Sequence, residues 1–189
     1  MRPSTALAVA TLLATALSAQ AADYTTEPTH TFARFEIGHF GASVNRARFD
    51  KQAGTIQYDA AAKTGRVELT IDINSISSGV ADFDQHLKSA DIFDAAKYPT
   101  AKFVGSKFVF QGNTLRAVEG QLTLKGQTHP VTLQARQFNC YVNPMLKRDV
   151  CGGDFEATID RTLWGVTYGL PMVAPKEVRI LATVEAIRQ

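Results

Sequence analysis

The sequence lacks most of the short motifs by which catalytic and metal sites are recognised. It has no HExxH or HxH spacing, no GxSxG nucleophile elbow, and no acidic loop with the glycine and glutamate that an EF-hand needs. The histidines are scattered over different predicted elements, at His30, His39, His86 and His129. We therefore predict no metal site and no cofactor, and a serine hydrolase of the familiar type has no support.

The sequence also lacks a strong excess of positive or negative charge. The net charge is +2, acidic and basic residues are interspersed, and no run of Lys and Arg occurs. Proteins that bind nucleic acid or an anionic membrane surface need a concentrated basic patch. The sequence therefore predicts that nucleic acid is not a partner.

Long apolar runs are absent too. The uncharged stretch 6–17 follows Arg2 and is too short to span a bilayer comfortably, which disfavours a retained membrane anchor. It leads into Ala19-Gln20-Ala21, the small-x-small spacing that signal peptidase accepts. We predict an exported protein whose signal peptide, residues 1–21, is cleaved after Ala21. A single domain, residues 22–189, remains.

Cysteine is scarce, with only Cys140 and Cys151 in the chain. CxxC spacing is absent and no histidine stands nearby, so a redox or metal pair is the weaker interpretation. An oxidising compartment favours a disulfide between the two. Because Asn143-Pro144 lies between them, we expect the bond to pin an excursion between two strands, with about 2–3 kcal/mol of stabilisation.

What the mature sequence does contain is alternation of apolar and polar residues with a period of two, typical of half-buried β-strands. Short connections favour antiparallel neighbours, and they favour a closed eight-stranded, lipocalin-like barrel over a sandwich. Only the segment 78–96 breaks the pattern, and it fits a short helical excursion at about residues 80–94. The eight predicted strands are 31–39, 54–59, 67–73, 101–110, 115–125, 129–138, 152–160 and 178–186.

Aromatic residues are plentiful, with 11 Phe and 5 Tyr. Several fall on the inward face of predicted strands, for example Phe35, Tyr58 and Phe155. An ordinary filled core and a cavity lined for a lipid explain them equally well. Composition leaves both interpretations open.

Four groups of residues stand in order along the chain. They are HT at 30–31 with FEIGH at 35–39; ID at 71–72, SI at 75–76, DQHLKSADIFD at 84–94 and YP at 98–99; VEGQLTLKG at 118–126 with PV at 130–131; and IDR at 159–161 with WG at 164–165. Together they resemble the YceI-like family of periplasmic polyisoprenoid-binding proteins. The sequence departs from the family's simplest pattern at 45–48 (NRAR), before Phe49, where a glycine is common. It also departs between the two cysteines, a segment that many relatives lack.

The resemblance implies a periplasmic barrel whose apolar tunnel holds a polyisoprenoid or fatty-acid-like lipid, with no catalytic residues and, in many members, a homodimer. His39 shares the strand parity of Phe35 and Ile37, so we expect it to point into the barrel. His39 and His86 are the candidate polar contacts. A hydrolase or isomerase that acts on a lipid-like substrate, with His39 or His86 as base, is the alternative. Strand parity predicts that the tunnel is lined by Phe35, Ile37, Ile56, Leu69, Ile71, Phe108, Leu122, Leu124 and Leu133.

Overall fold

The computed structural model describes residues 21–189, so the predicted signal peptide lies outside the described residues except for Ala21. This part of the chain is built mainly of strands. One α-helix, α1 (Ala81–Lys88), and two 3-10 helices, Ile73–Ser75 and Arg161–Trp164, accompany them. The strands are β1 (Ala22–Thr26), β2 (Phe32–His39), β3 (Ser43–Phe49), β4 (Gln52–Asp59), β5 (Thr64–Asp72), β6 (Ile76–Ser77), β7 (Thr100–Gln111), β8 (Thr114–Leu124), β9 (Gln127–Asn143), β10 (Arg148–Asp160) and β11 (Glu177–Arg188).

The strands form a closed antiparallel barrel. β1 pairs with both β4 and β11, so the order β1-β4-β5-β7-β8-β9-β10-β11 returns to its start and gives eight strand positions. β1 and β2 pair with different parts of β11, so together they fill one position as a broken strand. β4 pairs with β1 and β3 pairs with β2, so these two fill the next position in the same way. The predicted eight-stranded lipocalin-like barrel is confirmed, and the sandwich alternative is wrong.

All eight predicted strands are present, but the sequence pattern missed β1, β3 and the two-residue β6. β1 has only five residues, and in β3 only Ala47 and Phe49 are buried while two arginines point outward. Alternation over so few apolar residues is a weak signal. The NRAR stretch that departs from the family pattern therefore lies inside a strand.

The disulfide between Cys140 and Cys151 is present, but its predicted setting is wrong. The two cysteines lie directly opposite each other in the β9–β10 ladder, which continues to the pair Asn143 and Arg148. The bond therefore links two neighbouring strands of one long hairpin and does not pin an excursion between strands. The Asn143-Pro144 signal marks only the hairpin turn.

The segment between β5 and β7 covers one end of the barrel. Leu87 of α1, together with Ile73 and Ile76, is buried against the inner face of the barrel. The predicted helical excursion is confirmed, although the helix ends at Lys88 and turns follow it as far as residue 97. Within residues 21–189, no helix is long and apolar enough to cross a membrane.

Candidate functional site

The end of the barrel beneath α1 is hollow. A cavity of about 340 Å³, which we call the upper cavity, lies between the inner faces of the strands, α1 and the segment 165–176. Its lining is mostly apolar, and ligand cavities in proteins commonly measure about 300–1,000 Å³. The polar residues on its lining are Arg34, His39, Asn45, His86, Arg161 and Tyr168.

The opposite end of the barrel is nearly filled. The lower cavity there measures about 70 Å³ and is lined by Ile56, Tyr58 and Cys151 among others. The ring of Tyr58 stacks on Phe108 at 6.1 Å between centroids and meets Phe138 edge-on at 5.6 Å. Burial raises the pKa of the Tyr58 phenol, with the neighbouring Tyr24 and Asp59 adding to the effect, so this phenol stays protonated at neutral pH.

A girdle of four residues separates the two cavities, because these residues line both. The four are Leu69 and Phe103, which lie opposite each other on the neighbouring strands β5 and β7, with Leu133 of β9 and Ala182 of β11. The three larger side chains are buried. The interior is therefore divided into two chambers at this layer.

The nine residues predicted to line a tunnel are divided between the chambers. Ile56 and Phe108 lie only on the lower cavity, beyond the girdle. Their parity is correct, but parity does not say at which height of the barrel a residue lies. The other seven line the upper cavity: Phe35, Ile37, Leu69, Ile71, Leu122, Leu124 and Leu133. That these residues bind a ligand stays a prediction.

His39 and His86 both line the upper cavity, at the end covered by α1. The His86 ring meets Tyr168 edge-on at 4.7 Å between centroids, and the His39 ring meets Phe40 at 4.8 Å. Across residues 21–189, no group of three or more His, Cys, Asp or Glu side chains is placed to hold a metal ion. The two imidazoles are among the few polar groups on a mostly apolar wall.

Several lining residues were missed by the sequence analysis. Phe49 belongs to β3, which was not predicted, and Phe93 belongs to the covering segment, where period-two parity does not apply. Their rings meet edge-on at 5.9 Å. Ala101 and Ile180 have the correct parity in predicted strands, so that pattern could have found both.

Arg161 is the least expected member of the lining, because only 6% of it is exposed. Its guanidinium donates hydrogen bonds to three backbone carbonyls, those of Pro175 at 2.9 Å, Val166 at 3.0 Å and Ala174 at 3.2 Å. Burial lowers its pKa, and the nearby Asp160 carboxylate partly offsets this. Arg161 therefore fastens the segment 165–176 that covers the upper cavity.

The residues around Arg161 build the turn that positions it. The Asp160 carboxylate accepts from the backbone N–H of Thr162 at 3.0 Å and so caps the 3-10 helix. Trp164 is buried and donates from its indole Nε1 to the Leu122 carbonyl at 3.0 Å. Gly165 ends the helix with φ +68°, a left-handed conformation that favours glycine. The IDR and WG groups at 159–161 and 164–165 thus form the frame of the cavity cover.

Comparison with known proteins gives consistent relatives. The model of the YceI-like domain matches residues 24–186. A UPF0312 protein of Pseudomonas aeruginosa (strain LESB58) is 35% identical over 187 residues, which cover 97% of this chain and 96% of the relative. A UPF0312 protein of Vibrio cholerae (strain M66-2) is 38% identical over 133 residues, which cover 69% of this chain and 70% of the relative.

Solved structures share the barrel. Burkholderia cenocepacia BcnA superposes with a TM-score of 0.71 at 24% identity, covering 85% of this chain and 98% of that one. A protein described as a polyisoprenoid binding domain from Saccharophagus degradans, implicated in plant cell wall breakdown, superposes with a TM-score of 0.65 at 16% identity. The shared part covers 88% of this chain and 98% of that domain. At such identities the likeness establishes the fold.

The sequence comparison establishes the family as well as the fold. The family model extends over nearly the whole described barrel, and one relative matches almost end to end. The hollow barrel described above therefore belongs to the family of proteins with a YceI-like domain.

Proposed function

We propose that the protein binds a polyisoprenoid or another long-chain amphiphilic lipid in the upper cavity and carries it in the periplasm. The observation that carries this proposal is the apolar chamber of about 340 Å³ beneath α1. The structural neighbour described as a polyisoprenoid binding domain supports the choice of ligand. Membership of the YceI-like family supports it as well.

The energetics favour an apolar chain. Each methylene that leaves water for the chamber contributes about 0.8 kcal/mol, so a long tail binds with little polar recognition. Such binding discriminates weakly among chains of similar girth. The apolar lining offers few hydrogen-bond partners to a sugar or a peptide, whose polar groups would lose water without replacement.

The head group would lie at the end covered by α1. His39, His86 and Tyr168 are polar side chains there that line the cavity and can donate or accept a hydrogen bond. An amphiphile placed with its tail towards the girdle presents its polar end to them. Replacement of either histidine by alanine would then weaken binding modestly and leave chain preference unchanged.

The direct test is native mass spectrometry of the mature protein purified from its own periplasm, followed by organic extraction and identification of the released molecule. A blocked variant, Ala101→Phe, places a ring inside the upper cavity. The matched control Ala53→Phe adds the same ring at an exposed position of β4. We expect lipid in wild type and in Ala53→Phe, and little or none in Ala101→Phe.

The proposal fails if extraction releases no lipid and added polyprenols and fatty acids do not bind to the emptied protein. It also fails if Ala101→Phe retains the same lipid at the same occupancy. The same native spectra report the oligomeric state and so test the homodimer that the family resemblance implies. Fractionation of the cells of origin tests the periplasmic location.

An enzyme acting on a lipid-like substrate is the second candidate, because both histidines line the chamber that would hold the substrate. In the described part of the chain, neither imidazole is hydrogen-bonded to a side chain that could serve as nucleophile or orienting acid. Turnover of a bound lipid that disappears in His39→Ala or His86→Ala, with the fold intact, would support the enzyme. Unchanged turnover in both variants would remove it.

A further inference from the structure

We propose that Phe103 closes the bottom of the upper cavity and sets the longest tail that the protein holds without loss of fit. This inference rests on the proposed function, since it concerns how deep a bound chain reaches. Phe103 is the largest of the four girdle residues, and only 6% of it is exposed. A straight tail that grows from the α1 end towards the girdle meets this ring.

The backbone beneath the ring holds it in place. Gly105 and Gly120 lie opposite each other in the β7–β8 ladder. A methyl group added to Gly120 would lie 2.7 Å from Cζ of Phe103, and one added to Gly105 would lie 3.1 Å from Cε1. The ring therefore lies against two residues that have no side chain, and larger side chains would collide with it there.

The other girdle side chains surround the ring, Leu69 from the neighbouring strand β5, and Leu133 and Ala182 from β9 and β11 further around the barrel. Leu69 and Leu133 are buried with it, while Ala182 contributes only a methyl group. Removal of the Phe103 ring would therefore join the two chambers, because no other residue of the girdle is aromatic. The joined space would end at the aromatic layer of Tyr58 and Phe138.

The consequence is a limit on chain length. Among ligands whose tails still fit within the upper cavity, each additional methylene strengthens binding about fourfold. Once its end reaches Phe103, further methylenes stay outside the chamber or buckle within it, and the gain stops. A ligand series plotted against length should rise and then level off.

The experiment measures dissociation constants for unbranched saturated primary alcohols of increasing length, with delipidated full-length mature protein. Three variants are compared with wild type: Phe103→Ala, Phe103→Leu and the control Phe108→Ala. Phe108 lines only the lower cavity, so its truncation enlarges that chamber without opening the girdle. Phe103→Leu keeps an apolar side chain at the girdle and secures a folded variant if Phe103→Ala does not fold.

We expect wild type and Phe108→Ala to level off at the same length. Phe103→Ala should continue to gain about fourfold per methylene beyond that length, and Phe103→Leu should shift the plateau by a smaller amount. A plateau that stays unchanged in both Phe103 variants, or a wild-type curve without a plateau, overturns the inference and leaves the proposed function standing. Absence of binding at every length in wild type overturns both.

Discussion

The two ends of this barrel are made from the same kinds of residue and yet differ in what they enclose. Beneath α1 the inward-facing Phe, Leu and Ile side chains surround about 340 Å³, whereas at the far end Tyr58, Phe108 and Phe138 leave about 70 Å³. The difference arises from the covers. One end is capped by α1 and the segment 165–176, and the other is filled by rings that meet at 5.6–6.1 Å.

The difference teaches that an apolar inner face does not decide between core and cavity. Hydrophobic burial favours both, because side chains leave water in either case. A hollow end forgoes dispersion contacts across the void, so its walls need support from elsewhere. Here Arg161 fastens the cover from inside, and ion pairs brace the wall from outside.

The largest effect is expected from Arg161→Ala, which attacks the cover of the hollow end. Three carbonyls would lose their donor, and each unsatisfied buried group costs about 1–3 kcal/mol, so we expect a loss of about 4 kcal/mol in the free energy of unfolding. Urea denaturation measures it. Arg161→Lys, which keeps the charge but not the fork, should recover only part of the loss. A loss below about 1 kcal/mol would show that the cover does not depend on Arg161.

The second prediction concerns the disulfide at the filled end. Replacement of both Cys140 and Cys151 by serine reopens a short loop, and we expect unfolding to become easier by about 3 kcal/mol. Because Cys151 lines only the lower cavity, lipid affinity at the upper cavity should not change. Denaturation and lipid titration on the same samples check both statements. A fall in affinity as large as that caused by Ala101→Phe would contradict the separation of the two ends.

The same substitution made at both ends compares their packing directly. Ala186→Leu adds atoms to a residue that is 2% exposed beside the small cavity, and overpacking there should cost about 2 kcal/mol. Ala101→Leu points into the large cavity and should cost less than about 1 kcal/mol. Thermal unfolding of both variants gives the difference. Equal costs would mean that the upper cavity is not empty space.

The smallest effect concerns the outer wall of the hollow end. Hydrogen bonds from Arg136 and Arg179 hold the pKa of Glu156 at about 2, against an ordinary value of 4.5, and Arg179 also pairs with Glu36. A folded-state pKa below the unfolded one stabilises the fold above about pH 4.5, and this contribution is lost as the pH falls towards 2.

Glu156→Gln should therefore reduce the change in unfolding free energy between pH 5 and pH 3, with little effect on the shape of the upper cavity. Urea titrations at a series of pH values measure the slope. An exposed carboxylate outside this network, Glu177, provides the control when changed to Gln. The same pH dependence in Glu156→Gln and wild type would contradict the lowered pKa of Glu156 as its cause.

Period-two alternation predicted eight of the strands, their inward faces and the barrel, because each apolar face must be buried against the others. It could not predict the girdle. Leu69 and Ile56 have the same pattern in sequence, yet one lies on both chambers and the other only below, since the height of a residue depends on strand register. Arg161 was out of reach as well, because its three partners are backbone carbonyls of a loop, which leave no trace in side-chain patterns.

The single tryptophan gives the most direct test that an apolar chain lies in the upper cavity. Trp164 is buried, and its indole N–H donates a hydrogen bond to the backbone carbonyl of Leu122, a residue that lines that cavity. Bromine on an alkyl chain quenches indole fluorescence at short range. Titration with a bromoalkyl alcohol, kept below its micellar concentration, should quench Trp164 saturably at one chain per protein. The unbrominated alcohol should reverse the quenching, and Ala101→Phe should abolish it. Quenching that never saturates, or that persists unchanged in Ala101→Phe, would contradict the account.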